Sequence, residues 1–309
     1  MTWSPYYTGD GVPRDVELAP PPPWRTFPRR PMAREFQPPP GLVESVNAAL
    51  HLRRPLLVTG PAGSGKSTVV EQVAGELKLG AVLRWHITSR STLTDALYRY
   101  DALGRIHAQR LGLSDGVDDI APFLQLGPLG TALLPADRPR ALLIDEVDKS
   151  DLDLPSDLLD VLERGEYEIP ELARYKDDVV EVRQWGDDER HPVERGRVRC
   201  TQFPFIVMTS NGERDFPAAF LRRCVRYTMP PPDVPLLRRM ILAHLSIDIE
   251  DGGPVLELVE EFVSRLDRGD SLAVDQLLNA VHVLAGDAAP DDGRRRQLVD
   301  LLLRELSRA

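Results

Sequence analysis

The feature that most constrains this chain is the eight-residue loop GPAGSGKS, from Gly60 to Ser67. It matches the pattern G-x-x-x-x-G-K-[ST] in full, between a predicted strand at 55–60 and a predicted helix at 68–79. Glycines let the backbone wrap closely around phosphate groups with its amide N–H groups turned inward. The helix that follows adds its positive N-terminal end. The loop therefore predicts a phosphate-binding site on an α/β scaffold.

Two residues of this loop and two acids downstream have separate predicted roles. Lys66 is expected to reach the β and γ phosphates of a nucleotide, and Ser67 to ligate magnesium through its hydroxyl. Asp145 ends the apolar strand predicted within 140–148, at the edge where α/β sheets bind ligands. Asp145 would hold Mg²⁺ largely through water, and Glu146 is suited to polarise an attacking water. The alternative is a chance glycine-rich turn and an ordinary solvated acidic turn.

Two later segments supply further candidates. The predicted strand at 203–211 ends in Ser210 and Asn211, and a neutral amide there can hydrogen-bond the γ-phosphate or the attacking water. Because Asn followed by Gly is also a frequent turn pair, ordinary turn chemistry is the alternative. Arg222 and Arg223 are candidate arginine fingers for the site of a neighbouring subunit, with Arg223 preferred. Surface ion pairing is the alternative for both.

The complete prediction for the site has three groups of residues. The catalytic candidates are Glu146, Asn211, Arg222 and Arg223. The nucleotide contacts are Gly60, Pro61, Ala62, Gly63, Ser64, Gly65, Lys66, Ser67, Thr68 and Asp145. The metal ligands are Ser67 and Asp145. The scattered histidines are interpreted as structural: His51, His86, His107, His191, His244 and His282.

Predicted strands and helices alternate along most of the chain, which is typical of a doubly wound parallel sheet. Three regions are predicted: a proline-rich arm at 1–40, an α/β nucleotide-binding domain at 41–230 and a helical lid at 231–309. The central region has two predicted insertions, one with short helices near 89–135 and one hairpin or loop near 171–200. The arm contains three aromatic residues, Trp24, Phe27 and Phe36. It is either a flexible tail or an extended segment pinned by these rings.

Composition excludes several classes of function. With 48 acidic and 38 basic residues, the net charge of -10 argues against a general nucleic-acid-binding surface. Two cysteines without a CxxC pair or a Cys/His cluster suggest neither a disulfide framework nor structural zinc. The N-terminus has no basic region followed by an apolar one, and no run approaches the roughly 18 apolar residues of a membrane span. We therefore expect a cytoplasmic protein that binds neither nucleic acid nor membrane.

The order GPAGSGKST, LLIDEVDK, MTSN, FLRRC resembles that of AAA+ ATPases. Longer segments, including LVESVNAALHLRRPLLVTGPAGSGKS and LLIDEVDKSDLDLPSDLLDVLERGEYEIPEL, are similar to the MoxR branch and its relatives encoded beside von Willebrand A domain proteins. The likeness covers about residues 40–230 well and the lid only loosely. It implies an α/β core with strand order 5-1-4-3-2, a C-terminal helical lid and hexameric rings. It also implies ATP at the subunit interfaces.

The chain departs from this family pattern in two places. The lid has no Arg or Lys cleanly at the expected sensor-2 position, and Arg268 is the nearest candidate. No aromatic–hydrophobic–Gly pore loop follows the second predicted strand. Tyr98 and Tyr100 are candidates to face a pore, but packing within the insertion is the preferred interpretation.

The leading functional hypothesis is an ATP-hydrolysing, chaperone-like remodeller of a partner such as a von Willebrand A domain protein. The runner-up is an ATP-dependent non-catalytic switch or scaffold in a bacterial conflict or signalling system. A GTPase would need an N-K-x-D motif, which the sequence lacks, and a small-molecule kinase would not need Arg222 and Arg223 after a sensor Asn.

Overall fold

Strands and helices alternate along the part of the chain that the structure describes, a computed structural model covering residues 6–27, 36–111, 119–270, 272–285 and 292–304. The strands are β1 (Leu56–Thr59), β2 (Leu83–His86), β3 (Tyr98–Tyr100), β4 (Leu124–Leu126), β5 (Ala141–Asp145), β6 (Glu166–Glu168), β7 (Val179–Arg183), β8 (Arg190–Glu194), β9 (Arg197–Arg199), β10 (Phe205–Ser210) and β11 (Val225–Thr228). The helices are α1 (Leu42–Leu52), α2 (Thr68–Leu77), α3 (Leu93–Leu97), α4 (Ala102–Leu111), α5 (Pro128–Ala132), α6 (Leu154–Arg164), α7 (Pro170–Ala173), α8 (Ala218–Leu221), α9 (Val234–Leu245), α10 (Pro254–Asp267), α11 (Val274–Ala285) and α12 (Asp292–Leu302).

A five-stranded parallel sheet organises the larger unit of the chain, which comprises Pro38–Gly60 and Lys66–Met229. Its order is β11-β1-β10-β5-β2. Counted within this sheet alone, that order is 5-1-4-3-2, and the prediction is confirmed; the higher numbers arise from strands of a second sheet. Because both faces of the central strands are covered, these strands are near-continuous apolar runs, whereas the edge strands β2 and β11 keep exposed residues. All six residues of β10 and the first four of β5 are buried accordingly.

The helices beside this sheet begin and end where the sequence provides caps. Helix α6 has Pro155 in its first turn, where a missing amide costs nothing, and it ends at Gly165 with φ +63°. Helix α2 follows the phosphate loop directly and buries Val69, Val70 and Ala74. The parallel sheet and its helices therefore hold the start of α2 beside the carboxyl ends of the strands.

A second, six-stranded sheet lies in the same unit, in the order β3-β4-β7-β8-β9-β6. The segment at 171–200, predicted as a hairpin or loop, contains β7, β8 and β9, and the turn between β8 and β9 consists of Arg195 and Gly196, both with positive φ. The segment at 89–135, predicted to hold short helices, contains α3, α4 and α5 and also the short strands β3 and β4. Its β-prone YRY segment pairs with β4 as strand β3. Tyr98 is buried there, which confirms packing within the insertion.

The smaller unit contains the described parts of Met1–Gln37 and Pro230–Ala309, together with Pro61–Gly65. Helices α9 to α12 bury one another's apolar faces, and Trp24 of the arm packs against this core. The Trp24 indole donates to Asn279 Oδ1 at 3.3 Å and meets the His282 ring edge-on. Of the two interpretations of the arm, the structure supports a segment pinned by an aromatic ring. No helix in the described residues is long and apolar enough to cross a membrane.

Candidate functional site

The predicted phosphate loop has a backbone that only glycine adopts easily at three positions. Gly60, Gly63 and Gly65 have φ values of +146°, +72° and +81°. A Cβ on Gly60 would lie 2.8 Å from Cβ of Met229, so a side chain is excluded there. The Ser64 hydroxyl is buried and has no hydrogen-bond partner among the described residues. A tight loop with an unsatisfied buried hydroxyl fits a bound phosphate chain.

Lys66 is a buried cation at the start of α2. It is 7% exposed, and its Nζ donates to the backbone oxygen of Gly60 at 2.9 Å. Burial lowers the pKa of this ammonium, and the carboxylates of Asp145, Asp148 and Glu146 oppose that change. Burying a positive charge is costly unless an anion lies beside it. The position of Lys66 therefore suits the binding of an anionic ligand that neutralises the ammonium.

The two predicted metal ligands are brought together. Ser67 Oγ donates to Asp145 Oδ1 at 2.9 Å, which joins the start of α2 to the end of β5. A hydroxyl and a carboxylate oxygen are ligands that Mg²⁺ takes together with water and phosphate oxygens. Within the described residues, no group of three or more His, Cys, Asp or Glu side chains is arranged to hold a metal ion. The oxygen pair therefore fits a magnesium ion shared with a nucleotide.

Glu146 occupies a strained turn directly after β5. Its φ is +59°, in the left-handed region, and its amide donates to Thr209 Oγ1 at 2.9 Å. Its carboxylate accepts from Lys149 Nζ at 2.8 Å, and His86 Nε2 lies 3.5 Å from Oε2. This pairing raises the pKa of Lys149, mainly through its hydrogen bond to Glu146. His86, interpreted from the sequence as structural, lies at the end of β2 with its ring near the carboxylates of Asp145 and Glu146.

The turn after β10 is fixed by a buried carboxylate that sequence reasoning did not identify. Asp148 is 3% exposed, and its Oδ2 accepts from the amides of Asn211 at 2.9 Å and Glu213 at 3.1 Å. Its Oδ1 is buried and has no partner among the described residues. Ser210 is buried, and its hydroxyl accepts from the Gly212 amide at 3.0 Å. The backbone of Asn211 is therefore fixed by Asp148.

A cavity of about 470 Å³ opens beside these turns. It is lined by residues after β2, β5 and β10, including Thr88, Asp148, Lys149 and Arg214. Such a cavity at the carboxyl ends of parallel strands is where α/β sheets bind ligands.

The two candidate arginine fingers differ in their surroundings. Arg223 Nε donates to Glu163 Oε1 at 2.7 Å, and its Nη1 donates to the Ala219 oxygen at 3.1 Å. The Arg222 side chain is exposed and makes no ion pair with any described residue. Both residues follow α8.

Comparison with known protein families identifies the family of this chain. A family model described as AAA domain (dynein-related subfamily) matches residues 55–224, more than half of the 309 residues. The chain belongs to this AAA family. The matched part of the AAA chain contains every predicted site residue, from Gly60 to Arg223. The match does not single out the MoxR branch.

Solved structures similar to the AAA chain include NtrX from Brucella abortus, at 16% sequence identity. The ADP complex of NtrX aligns with 84% of this chain and 55% of its own chain, at a TM-score of 0.45. The ATP complex aligns with 81% and 52%, at a TM-score of 0.43. The AAA chain thus spans about half the length of NtrX. No curated protein matches it by sequence.

Proposed function

We propose that the AAA chain binds ATP with Mg²⁺ and hydrolyses it. The observation that carries this proposal is the contact of Ser67 Oγ with Asp145 Oδ1 at 2.9 Å. It joins the phosphate loop to the acids that follow β5, as a magnesium-nucleotide site requires. The buried Lys66 and the turn that carries Glu146 lie at the same end of the sheet.

Each residue has a role that follows from its position. Lys66 binds the terminal phosphates, and Ser67 and Asp145 hold the metal ion. Mg²⁺, when bound, neutralises charge on the β and γ phosphates. Glu146 accepts a proton from the attacking water, and the Asn211 amide orients that water without adding charge.

We further propose that the chain assembles into a ring, hexameric by its MoxR resemblance, in which Arg222 or Arg223 completes the site of a neighbour. The ring would use ATP turnover to remodel a client in the cytoplasm, and a von Willebrand A domain protein is the proposed partner class. These proposals rest on the resemblance of the motifs. Sizing the protein with a non-hydrolysable ATP analogue tests the assembly, and a strictly monomeric species would contradict it.

The test of hydrolysis is Glu146→Gln, which removes the proton acceptor and keeps the shape of the side chain. Turnover should fall about 100-fold or more, while Mg-ATP binding measured by calorimetry is retained. Lys66→Ala, in contrast, should abolish that binding. A Glu146→Gln protein that hydrolyses ATP at the wild-type rate would contradict the proposal.

A second candidate, the non-catalytic switch, is favoured by one contact. Lys149 Nζ lies 2.8 Å from Glu146 Oε2, so this carboxylate is held in an ion pair and must exchange Lys149 for an attacking water before hydrolysis. If Glu146→Gln retains assembly, partner binding and full biological activity, hydrolysis is dispensable and the switch is the better description. Loss of biological activity with assembly intact favours the ATPase.

A further inference from the structure

We infer that Thr209 is a positioning residue that holds Asp145 and Glu146 in their working geometry through a single hydroxyl group. The inference rests on the proposed function, since it concerns the same magnesium and proton-transfer residues. Sequence reasoning assigned no role to Thr209.

The hydroxyl of Thr209 makes two bonds whose directions are fixed. Thr209 is 1% exposed, and its Oγ1 accepts from the Glu146 amide at 2.9 Å. The same atom donates to Asp145 Oδ1 at 2.6 Å. A hydroxyl has one proton and two lone pairs, so an oxygen that accepts from an amide still has its proton for the carboxylate. Both bonds therefore form together, and one side chain ties two functional residues.

On Asp145, this bond fixes the rotation of the carboxylate. Oδ1 receives two hydroxyl protons, from Ser67 at 2.9 Å and from Thr209 at 2.6 Å. The other oxygen, Oδ2, lies 3.9 Å from His86 Nδ1. Two donors on one oxygen set the orientation of the group about its Cβ–Cγ bond. The position of the other oxygen relative to the metal therefore depends on Thr209.

On Glu146, the bond supports a strained backbone. A non-glycine residue at φ +59° is strained and persists only where neighbouring contacts hold it. The parallel pairing of β5 with β10 sets Ile144 beside Met208, so Thr209 follows in register next to Asp145. The register thus places the Thr209 hydroxyl under the Glu146 amide, and the turn directs the Glu146 side chain.

The competing explanation is that Thr209 only fills the core. Valine has nearly the same shape as threonine and lacks the hydroxyl, so Thr209→Val separates the two explanations. Thr209→Ser restores the hydroxyl with a smaller side chain. Thr131→Val is a matched control, because Thr131, in α5, is 2% exposed and its Oγ1 accepts one hydrogen bond, from the amide of Trp185 at 2.9 Å.

The experiment measures kcat, KM for ATP, the Mg²⁺ concentration for half-saturation and the unfolding midpoint of these variants. Thr209→Val should lower kcat about 10-fold or more, as expected when a hydrogen bond to a charged group is lost, and should raise the Mg²⁺ requirement with little change in KM. Thr209→Ser should recover most of the lost turnover. Thr131→Val should lower the unfolding midpoint by a similar amount with turnover close to wild type.

Two results would overturn the inference. One is that Thr209→Val has the same kcat as Thr131→Val, and the other is that Thr209→Ser turns over ATP as slowly as Thr209→Val. If valine prevents folding, Thr209→Ala gives the same comparison. A wild-type protein that hydrolyses no ATP would instead defeat the proposed function. The inference is then decided by titrating Mg²⁺ into the ADP complex: Thr209→Val should raise half-saturation several-fold, and an unchanged value would refute it.

Discussion

The two sheets of the larger unit differ in how they hold polar side chains. The parallel sheet has buried central strands, and buried hydrogen bonds fix the polar groups at their carboxyl ends. The Thr209 hydroxyl donates to Asp145, and the Asp148 carboxylate accepts from the Asn211 amide. The second sheet alternates buried and exposed residues along β7, and its exposed face carries ion pairs such as Arg199 with Glu166. None of the predicted site residues lies on the second sheet.

The difference follows from the cost of burial. A polar group removed from water must be satisfied by a partner, so its position becomes tightly determined. An exposed pair can exchange its partner for water at little cost. Chemistry that needs fixed distances therefore belongs at the ends of the parallel sheet.

The largest effect should come from removing one charge at the end of the parallel sheet. Asp145→Asn removes a negative charge from the metal site and weakens the oxygen that accepts hydrogen bonds from two hydroxyl groups. Turnover should therefore fall about 100-fold. Glu181→Gln makes the same chemical change on exposed β7 and should leave turnover within a factor of two. Steady-state rates at saturating Mg²⁺ provide the comparison. Equal losses in both variants would refute the distinction between the sheets.

Many features of the parallel sheet and its site could be predicted from the sequence. The phosphate loop, the acids after β5 and the parallel strands are visible because each depends on a short, contiguous pattern of residues. The end of β5 at Asp145 was located from the sequence, because the apolar run stops there, whereas β10 ends one residue before the predicted end at Asn211. The order of the strands came from the resemblance of the motifs to a family.

The remaining features depend on residues that are distant in sequence. Thr209 meets Glu146 across 63 residues of chain, and only the register of β5 against β10 brings them together. Strands β3 and β4 of the second sheet escaped prediction because they have three residues each, too short for a periodic pattern. The partner of Arg223, Glu163, lies 60 residues away on α6 and carries no local signal.

A smaller effect, on stability, should distinguish the buried carboxylate from an exposed one. Asp148→Ala removes the acceptor of two amide bonds and should lower the free energy of unfolding by about 3 kcal/mol. Asp178→Ala removes an exposed pair with Arg195, at 3.1 Å, and should cost about 1 kcal/mol or less. Denaturant titration measures both. Asp148→Asn keeps one acceptor oxygen, so its loss in free energy of unfolding should fall between those of the two alanine variants. Similar losses for Asp148→Ala and Asp178→Ala would contradict the argument.

The two cysteines should differ in how fast their thiols are alkylated, and stability should depend on pH through Cys224. Burial raises the pKa of Cys224, before β11, from 9.0 to about 12, and burial also raises that of the less buried Cys200, after β9. Because the thiolate is the reactive form, Cys224 should be alkylated roughly tenfold more slowly than Cys200 at pH 8. Above pH 9 the unfolded thiol ionises while native Cys224 stays neutral, so stability should fall as pH rises towards 12. Mass spectrometry of timed samples checks the rates, and faster labelling of Cys224 would count against its burial.

The smallest effect should be found at the pair of Arg199 with Glu166 on the second sheet. The two groups lie 2.7 Å apart, yet their side chains are 75% and 40% exposed. Because water screens such a pair, a double-mutant cycle of Arg199→Ala and Glu166→Ala should give a coupling energy of about 0.5 kcal/mol. That energy should shrink further in 1 M salt, where the Debye length is about 3 Å. Turnover should stay unchanged in all three variants, since neither residue is tied to the parallel sheet's buried hydrogen bonds. A coupling above about 2 kcal/mol, or a loss of turnover, would mean that exposed ion pairs on this sheet also fix the geometry of the site.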